Sequence, residues 1–164
     1  MTITIVKLGS PRKAKEGLRI GTVRRPPRGV PKSEYAQRDF YDVWLPNLAP
    51  SQRLLKEAKT AHDKKSWTAF ERKFRSEMKT PDAGKILDLL AALSHRTDFS
   101  VGCYCNDERR CHRSILRQLL VERGADIAGP WRLPYPIVVR LSPNDQCTVF
   151  TVCGIGRTLD KLLA

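Results

Sequence analysis

The residue types that could do chemistry are concentrated in one short segment, residues 99–120. This segment holds three of the five cysteines and one of the three histidines, together with four arginines. An apolar strand-like pattern over residues 99–105 breaks into a charged loop, and a helical pattern begins near Cys111 and His112. In α/β folds, ligands bind beyond the carboxyl ends of the strands. We therefore place the candidate site in this loop and at the start of this helix.

The first hypothesis for this segment is anion binding. A helix start offers unpaired backbone amides and the positive end of the helix dipole, and arginines add bidentate donors for phosphate. Two arginines of a rigid, proline-rich loop could join four from the segment, which gives Arg24, Arg28, Arg109, Arg110, Arg113 and Arg117 as candidates. The structural alternative is that some of them pair with Asp107, Glu108 or Asp42 and hold loops together.

The second hypothesis is thiol chemistry at Cys111. A thiol at a helix start, beside His112 and between arginines, has surroundings that lower a cysteine pKa and produce a nucleophile. His112 would be the base, and Arg113 or Arg117 would bind the oxyanion or phosphate. The spacing from Cys111 to Arg117 matches the loop of cysteine phosphatases, but the residues between them lack the glycines of such loops. Phosphatase or sulfur-transfer chemistry is therefore an alternative function.

We expect no cofactor and no metal at this site, and the third hypothesis is the alternative to that expectation, a zinc site formed by Cys105, Cys111 and His112. Zinc sites favour cysteines two to four residues apart at a tight turn. Along a strand, the thiols of Cys103 and Cys105 would lie about 6 to 7 Å apart, which is awkward for one tetrahedral ion. We expect both of these cysteines to be small buried apolar residues.

The charge of the chain favours an anionic partner. The formal net charge is +13, and residues 1–32 contain nine Lys or Arg against one acid, Glu16. A field of this strength attracts polyanions, of which nucleic acid is the commonest inside cells, although a solvated basic face is the plain alternative. The sequence leaves the oligomeric state open.

Apolar periodicity predicts an α/β fold in one domain, residues 1–164, with a mainly parallel sheet flanked by helices. The third predicted helix, with Thr80 as its cap and Pro81 at its first position, would bury Ile86, Leu89, Leu90 and Leu93. The other predicted elements are strands at 2–7, 18–23 and 99–105, helices that open at Pro50 and at Ser66, the helix from Cys111, and a C-terminal hairpin of strands 137–141 and 148–153.

Composition indicates a soluble, cytoplasmic protein. No apolar stretch approaches the length that spans a bilayer, so no membrane association is expected, and the first residues do not follow the order of a signal peptide. Five cysteines, an odd number, do not resemble the disulfide framework of a small secreted domain. Reduced thiols are expected.

Several motifs, in this order, resemble the domain of unknown function 488 (DUF488) family: LRIGTVRRPPRGVPK, DVWLPNLAPS, a Trp-x-x-Phe helix that ends in FRSEM, and FSVGCYCNDERRCHRSILRQLL. The resemblance covers about residues 2–122, and the extension 125–164 lies outside it. It implies a small α/β fold without a settled biochemical role. Many relatives read Val-Asp-Arg-Leu-Trp-Pro-Arg-Gly where this chain has residues 22–29, so the acid and the Trp are absent while both arginines remain.

The favoured function is therefore the binding of phosphate-bearing ligands, nucleic acid above nucleotide. The cleft would be formed by the loop from Arg24 to Arg28 and by the loop and helix start from Cys105 to Arg117. The two alternatives are an enzyme that uses Cys111 and a zinc-stabilised structural or interaction protein.

Overall fold

In the part of the chain that the structure describes, four short strands form one sheet in which every pair of neighbours is parallel. The computed structural model describes residues 1–60 and 63–129. The strands, in chain order, are β1 (Ile3–Lys7), β2 (Leu18–Gly21), β3 (Val43–Trp44) and β4 (Phe99–Cys103), and their spatial order is β1-β4-β2-β3. The predicted α/β fold with a parallel sheet is confirmed.

The strands differ from the predictions in detail. The strand predicted over 18–23 ends at Gly21, and the one predicted over 99–105 ends at Cys103. The second strand lies inside the sheet because β3 pairs with it in parallel. With two residues, both exposed, β3 is too short to leave an apolar pattern in the sequence.

The described part of the chain contains four α-helices. They are α1 (Gln52–Thr60), α2 (Lys64–Glu77), α3 (Pro81–Ser94) and α4 (His112–Val121), with single 3-10 turns at Lys32–Glu34 and Pro46–Leu48. Asp63, and not Ser66, is the N-cap of α2, because its carboxylate accepts the Ser66 backbone N–H at 2.8 Å. Pro81 occupies the first turn of α3, as predicted.

The main apolar core lies between the helices and one face of the sheet. Ile20 and Val101 from the sheet pack there with Phe74, Leu87 and Leu116. The buried stripe predicted for α3 is partly wrong. Leu90 is buried as expected, but Leu89 is 58% exposed and Leu93 is 38% exposed. The small residues Ala83, Ala91 and Ser94 are buried instead, and α3 packs against α4 and the Pro46–Leu48 turn.

The opposite face of the sheet is held by a buried ion pair between Glu16 and Arg19. The Arg19 side chain is 0% exposed, and its Nε lies 2.6 Å from Glu16 Oε1. Ser100 Oγ donates a hydrogen bond to the same carboxylate at 2.7 Å. The Arg19 guanidinium also donates to the backbone carbonyls of Ser10 (2.8 Å) and Asp39 (2.6 Å). One side chain thus connects two loops, the one between β1 and β2 and the one between β2 and β3, to the centre of the sheet.

Near the end of the described residues, Ile127 makes a parallel β-bridge to Ile3 at the outer edge of β1. Residues 1–129 form one compact unit. The predicted C-terminal hairpin lies outside the described residues, so it and the single domain over residues 1–164 remain predictions. Among the helices of the described residues, none has both the length and the apolar character needed to cross a bilayer.

Glu16→Gln is expected to destabilise the fold at neutral pH. Burial alone would raise the pKa of the Glu16 carboxyl, but hydrogen bonds from Arg19 and Ser100 overcome this and lower the pKa to about 2. Because the folded pKa lies below the ordinary value of 4.5, the stabilisation is complete above about pH 4.5 and is lost as the pH falls toward 2. We expect the free energy of unfolding at pH 7 to fall by about 3 kcal/mol, measured by urea denaturation.

The control for this prediction is Glu34→Gln, which removes a partly exposed pair with Arg38 and should cost less than about 1 kcal/mol. The stability of the Glu16 variant should also depend less on pH between 5 and 2. An unchanged pH dependence in that variant would contradict the role assigned to the buried pair.

Candidate functional site

A cavity of about 460 Å³ opens at the carboxyl ends of β2 and β4. Parallel strands end at the same edge of a sheet, so the segments that follow these two neighbouring strands form facing walls. One wall is the proline-rich loop after β2, and the other is the loop between β4 and α4. The lining residues are Val23, Arg24, Arg25, Pro26, Pro27, Arg28, Phe40, Pro50, Leu55, Cys103, Tyr104, Cys105 and His112.

The loop after β2 is fixed at its start and exposed at its tip. Arg24 donates from its side chain to the backbone carbonyls of Ala49 (2.6 Å) and Pro50 (3.0 Å), so much of its guanidinium holds the loop. Arg25 is exposed and pairs with the Gln52 side chain. Arg28 is exposed, lines the cavity and precedes Gly29, whose φ of +70° turns the chain. Arg28 is therefore the guanidinium best placed to meet a ligand.

The thiols of Cys103 and Cys105 lie much closer together than expected. Their Sγ atoms are 3.7 Å apart, so the predicted 6 to 7 Å is wrong. The strand ends at Cys103, and the following turn brings Cys105 back beside it. Cys103 is buried, as predicted, but Cys105 is exposed, which contradicts the expectation of a buried side chain.

Cys111 and His112 lie where α4 begins, as the sequence predicts. Cys111 is the N-cap residue, and its Sγ is 3.8 Å from His112 Nδ1. His112 Nε2 is 2.7 Å from the Thr22 carbonyl oxygen. Since a carbonyl can only accept, Nε2 carries the proton in the neutral ring, and the lone pair is on Nδ1, on the side of the thiols. The Phe74 ring packs edge-on against the His112 imidazole, with 5.6 Å between the ring centroids.

The pKa shifts within this group differ from the prediction for Cys111. Cys111 is 2% exposed, and its interactions with the sulfurs of Cys103 and Cys105, together with burial, raise the pKa of its thiol. The expectation of a lowered Cys111 pKa is therefore wrong. The pKa of Cys105 is lowered, because its sulfur accepts hydrogen bonds from Cys103 and Cys111. Burial lowers the pKa of His112 to about 4, so the ring is neutral at pH 7.

Most arginines of the β4–α4 segment contact other parts of the protein and stabilise the loop or the helix. Arg113 is buried, and its guanidinium donates to the Cys105 carbonyl oxygen at 2.8 Å. Arg117 pairs with Glu108 at 2.8 Å, one of the pairings foreseen as the structural alternative. Arg110 lies over the Trp67 ring, 5.6 Å from its centroid. Of the six arginines predicted to bind phosphate, Arg24 and Arg28 line the cavity, whereas Arg109, Arg110, Arg113 and Arg117 are not part of its lining.

Sequence reasoning missed several residues that shape the site. Thr22 orients His112 through its carbonyl group, which no side-chain pattern could indicate. Phe40 and Tyr104 form apolar lining with an edge-on ring contact, 6.0 Å between centroids. Arg25 could have been found, since it lies between Arg24 and the two prolines of the same loop.

Comparison with known proteins gives one family match. The family model described as DUF488-N3a, active DUF488-N3 subclade, matches residues 3–124. A comparison with curated proteins and one with solved structures gave no match. The matched residues include the whole sheet, the cavity lining and the group of thiols.

Arg113→Met is expected to loosen the loop between β4 and α4. The Arg113 guanidinium donates to the carbonyl oxygens of Cys105 and Asn106, and a hydrogen bond from a charged donor contributes about 1.5 to 3 kcal/mol. Amide hydrogen exchange, followed by mass spectrometry, should become about tenfold faster or more in peptides from residues 104–110. Arg109→Met, at an exposed position in the same loop, should leave this exchange unchanged. Equal exchange in both variants would contradict the anchoring role of Arg113.

Proposed function

The chain belongs to the DUF488 family, and from that premise we propose that its cavity binds a nucleotide unit, a phosphate-bearing ligand with a flat apolar part. The observation that carries the proposal is the lining of the cavity, where the arginine-rich tip of the loop after β2 stands beside apolar walls.

The size and walls of the cavity suit the flat part of such a ligand. A volume of about 460 Å³ falls within the range of small-molecule sites. Val23, Pro27, Phe40 and Leu55 contribute apolar surface, and Tyr104 adds a second aromatic ring. Bases bind to proteins by stacking on aromatic and apolar faces. A base in this cavity would leave water without burying an unpaired charge.

The arginines suit the phosphate. Arg25 and Arg28 are exposed and line the cavity, and a guanidinium binds phosphate through two parallel hydrogen bonds. Arg24 is committed to backbone carbonyls, so its part is to hold the loop in place. The net charge of +13 adds a long-range attraction for anions.

The alternative in which Cys111 attacks a substrate has weaker support. Cys111 is almost completely buried and is not among the residues that line the cavity. Cys105 is the cysteine that is exposed at the cavity, and the nucleotide proposal does not depend on any thiol.

A nucleotide unit could come from a free nucleotide or from single-stranded nucleic acid. Binding to a strand releases counterions from several phosphates, so its affinity would fall steeply with salt and rise with strand length. Binding of a free nucleotide would depend less on salt. Fluorescence anisotropy with labelled mononucleotides and with labelled single strands, at several salt concentrations, separates the two sources.

Arg28→Ala is expected to weaken nucleotide binding about tenfold or more, because one charge-assisted phosphate contact is lost. The matched control is Arg96→Ala, which removes an exposed arginine between α3 and β4, at the amino ends of the strands. The nucleotide affinity of this control should remain within about twofold of the affinity of the unmodified chain, as expected for a charge remote from the site. An equal loss in both variants would mean that net charge alone drives binding, and no measurable binding of either probe would contradict the proposal.

A further inference from the structure

We propose that Cys103, Cys111 and His112 bind a zinc ion, with Cys105 at the fourth corner of the tetrahedron. This inference goes beyond nucleotide binding and does not rest on it. The Sγ atoms of Cys103 and Cys111 and a ring nitrogen of His112 lie within 4.8 Å of one another. Cys105 adjoins this group on the side of the cavity.

The distances that join Cys103, Cys111 and His112 are close to those of a tetrahedral site, and Cys105 is close to Cys103. Zinc lies about 2.3 Å from thiolate sulfur and about 2.0 Å from imidazole nitrogen, which places two sulfurs about 3.8 Å apart and a sulfur and a nitrogen about 3.6 Å apart. The Sγ atoms of Cys103 and Cys105 are 3.7 Å apart, and Cys111 Sγ is 3.8 Å from His112 Nδ1. The widest separation within the three-residue group needs a contraction of about 1 Å or less to reach these values.

The orientation of His112 supports the assignment independently of the distances. Histidines that bind zinc usually donate their second ring N–H to a carboxylate or a backbone carbonyl, which fixes the tautomer and aims the other nitrogen at the metal. His112 Nε2 donates to the Thr22 carbonyl oxygen at 2.7 Å, and Nδ1 is on the side of Cys111. A histidine that served only as a packed core side chain would not need its lone pair directed at thiols.

The elements that carry the ligands are rigid. Cys103 is the last residue of β4, which is paired on both sides, and His112 is the first residue of α4. The loop between them is anchored by the bond from Arg113 to the Cys105 carbonyl. Burial of Cys103, Cys111 and His112 keeps water away from the group, as in zinc sites whose four ligands all come from the protein. A set of three sulfurs and one nitrogen is selective for zinc over harder cations such as magnesium and calcium.

The ion would lie in the wall of the cavity, because Cys103, Cys105 and His112 also line it. It would join the end of β4, the start of α4 and, through His112, the backbone at Thr22 after β2. Zinc would thus fix both walls of the nucleotide cavity relative to each other. We therefore expect bound zinc to act mainly on the stability of the fold and on the shape of the cavity.

The first experiment measures the metal content of the full chain, purified without chelators, by inductively coupled plasma mass spectrometry. One zinc per chain is expected. Replacement of zinc by cobalt should give sulfur-to-cobalt charge-transfer absorption and the visible bands of a tetrahedral ion. No zinc, iron in place of zinc, or an octahedral cobalt spectrum would overturn the proposal. These readouts use the unmodified chain and require no knowledge of the cavity ligand.

The second experiment tests the ligands one by one. Cys103→Ser, Cys111→Ser and His112→Gln should each lose most of the metal, and removal of zinc should lower the midpoint of thermal unfolding. His95→Gln, at an exposed histidine that pairs with Asp126, is the control for His112. The double variant Cys147→Ser with Cys153→Ser changes the two cysteines that the proposal does not use, and it is the control for the thiols. Metal loss in either control, or its retention in the three ligand variants, would overturn the assignment. Nucleotide affinity of Arg28→Ala is a separate measurement, so either proposal can fail alone.

Discussion

The buried ion pair between Glu16 and Arg19 is the interaction that fastens the loops to one face of the sheet. Helices cover the first face, but loops cover the second, and loops bring backbone carbonyls that need donors in a dry interior. The Arg19 guanidinium supplies donors to Ser10 and Asp39, while Glu16 balances its charge. Phe40 follows Asp39 directly and lines the cavity. A buried charge on one face of the sheet therefore fixes a wall of the site at its edge.

The elements of the fold could be predicted where a periodic pattern was long enough to be recognised. Strands β1 and β4 and the helices each supply several apolar residues at a regular spacing, and the structure has them close to the predicted positions. The match of the family model over residues 3–124 agrees with the resemblance seen in the motifs. Strand β3 has two residues and thus no period. The prediction of the buried face of α3 was partly wrong, because small residues such as Ala83 and Ala91, and not only its leucines, face the interior.

The location of the site could be predicted, but the roles within it could not. Strand, loop and helix order places Cys105, Cys111 and His112 at the carboxyl edge of the sheet, and the structure agrees. Which thiol faces the cavity depends on a turn anchored by Arg113, a contact across eight residues. Whether an arginine binds a ligand or holds a loop depends on partners far away in sequence, as with Arg24 and the carbonyls near Pro50. Local spacing contains no information about such partners.

The strand order β1-β4-β2-β3 also constrains the sequence of events during synthesis. The amino-terminal strand has β4 as its neighbour on one side and Ile127 on the other, both of which are translated long after it. The sheet therefore cannot close until β4 has left the ribosome, and its folding is dominated by non-local pairing. In that interval β1 is an unpaired strand, open to association with other chains. Its shortness and the exposed Lys7 at its end are features that limit such association.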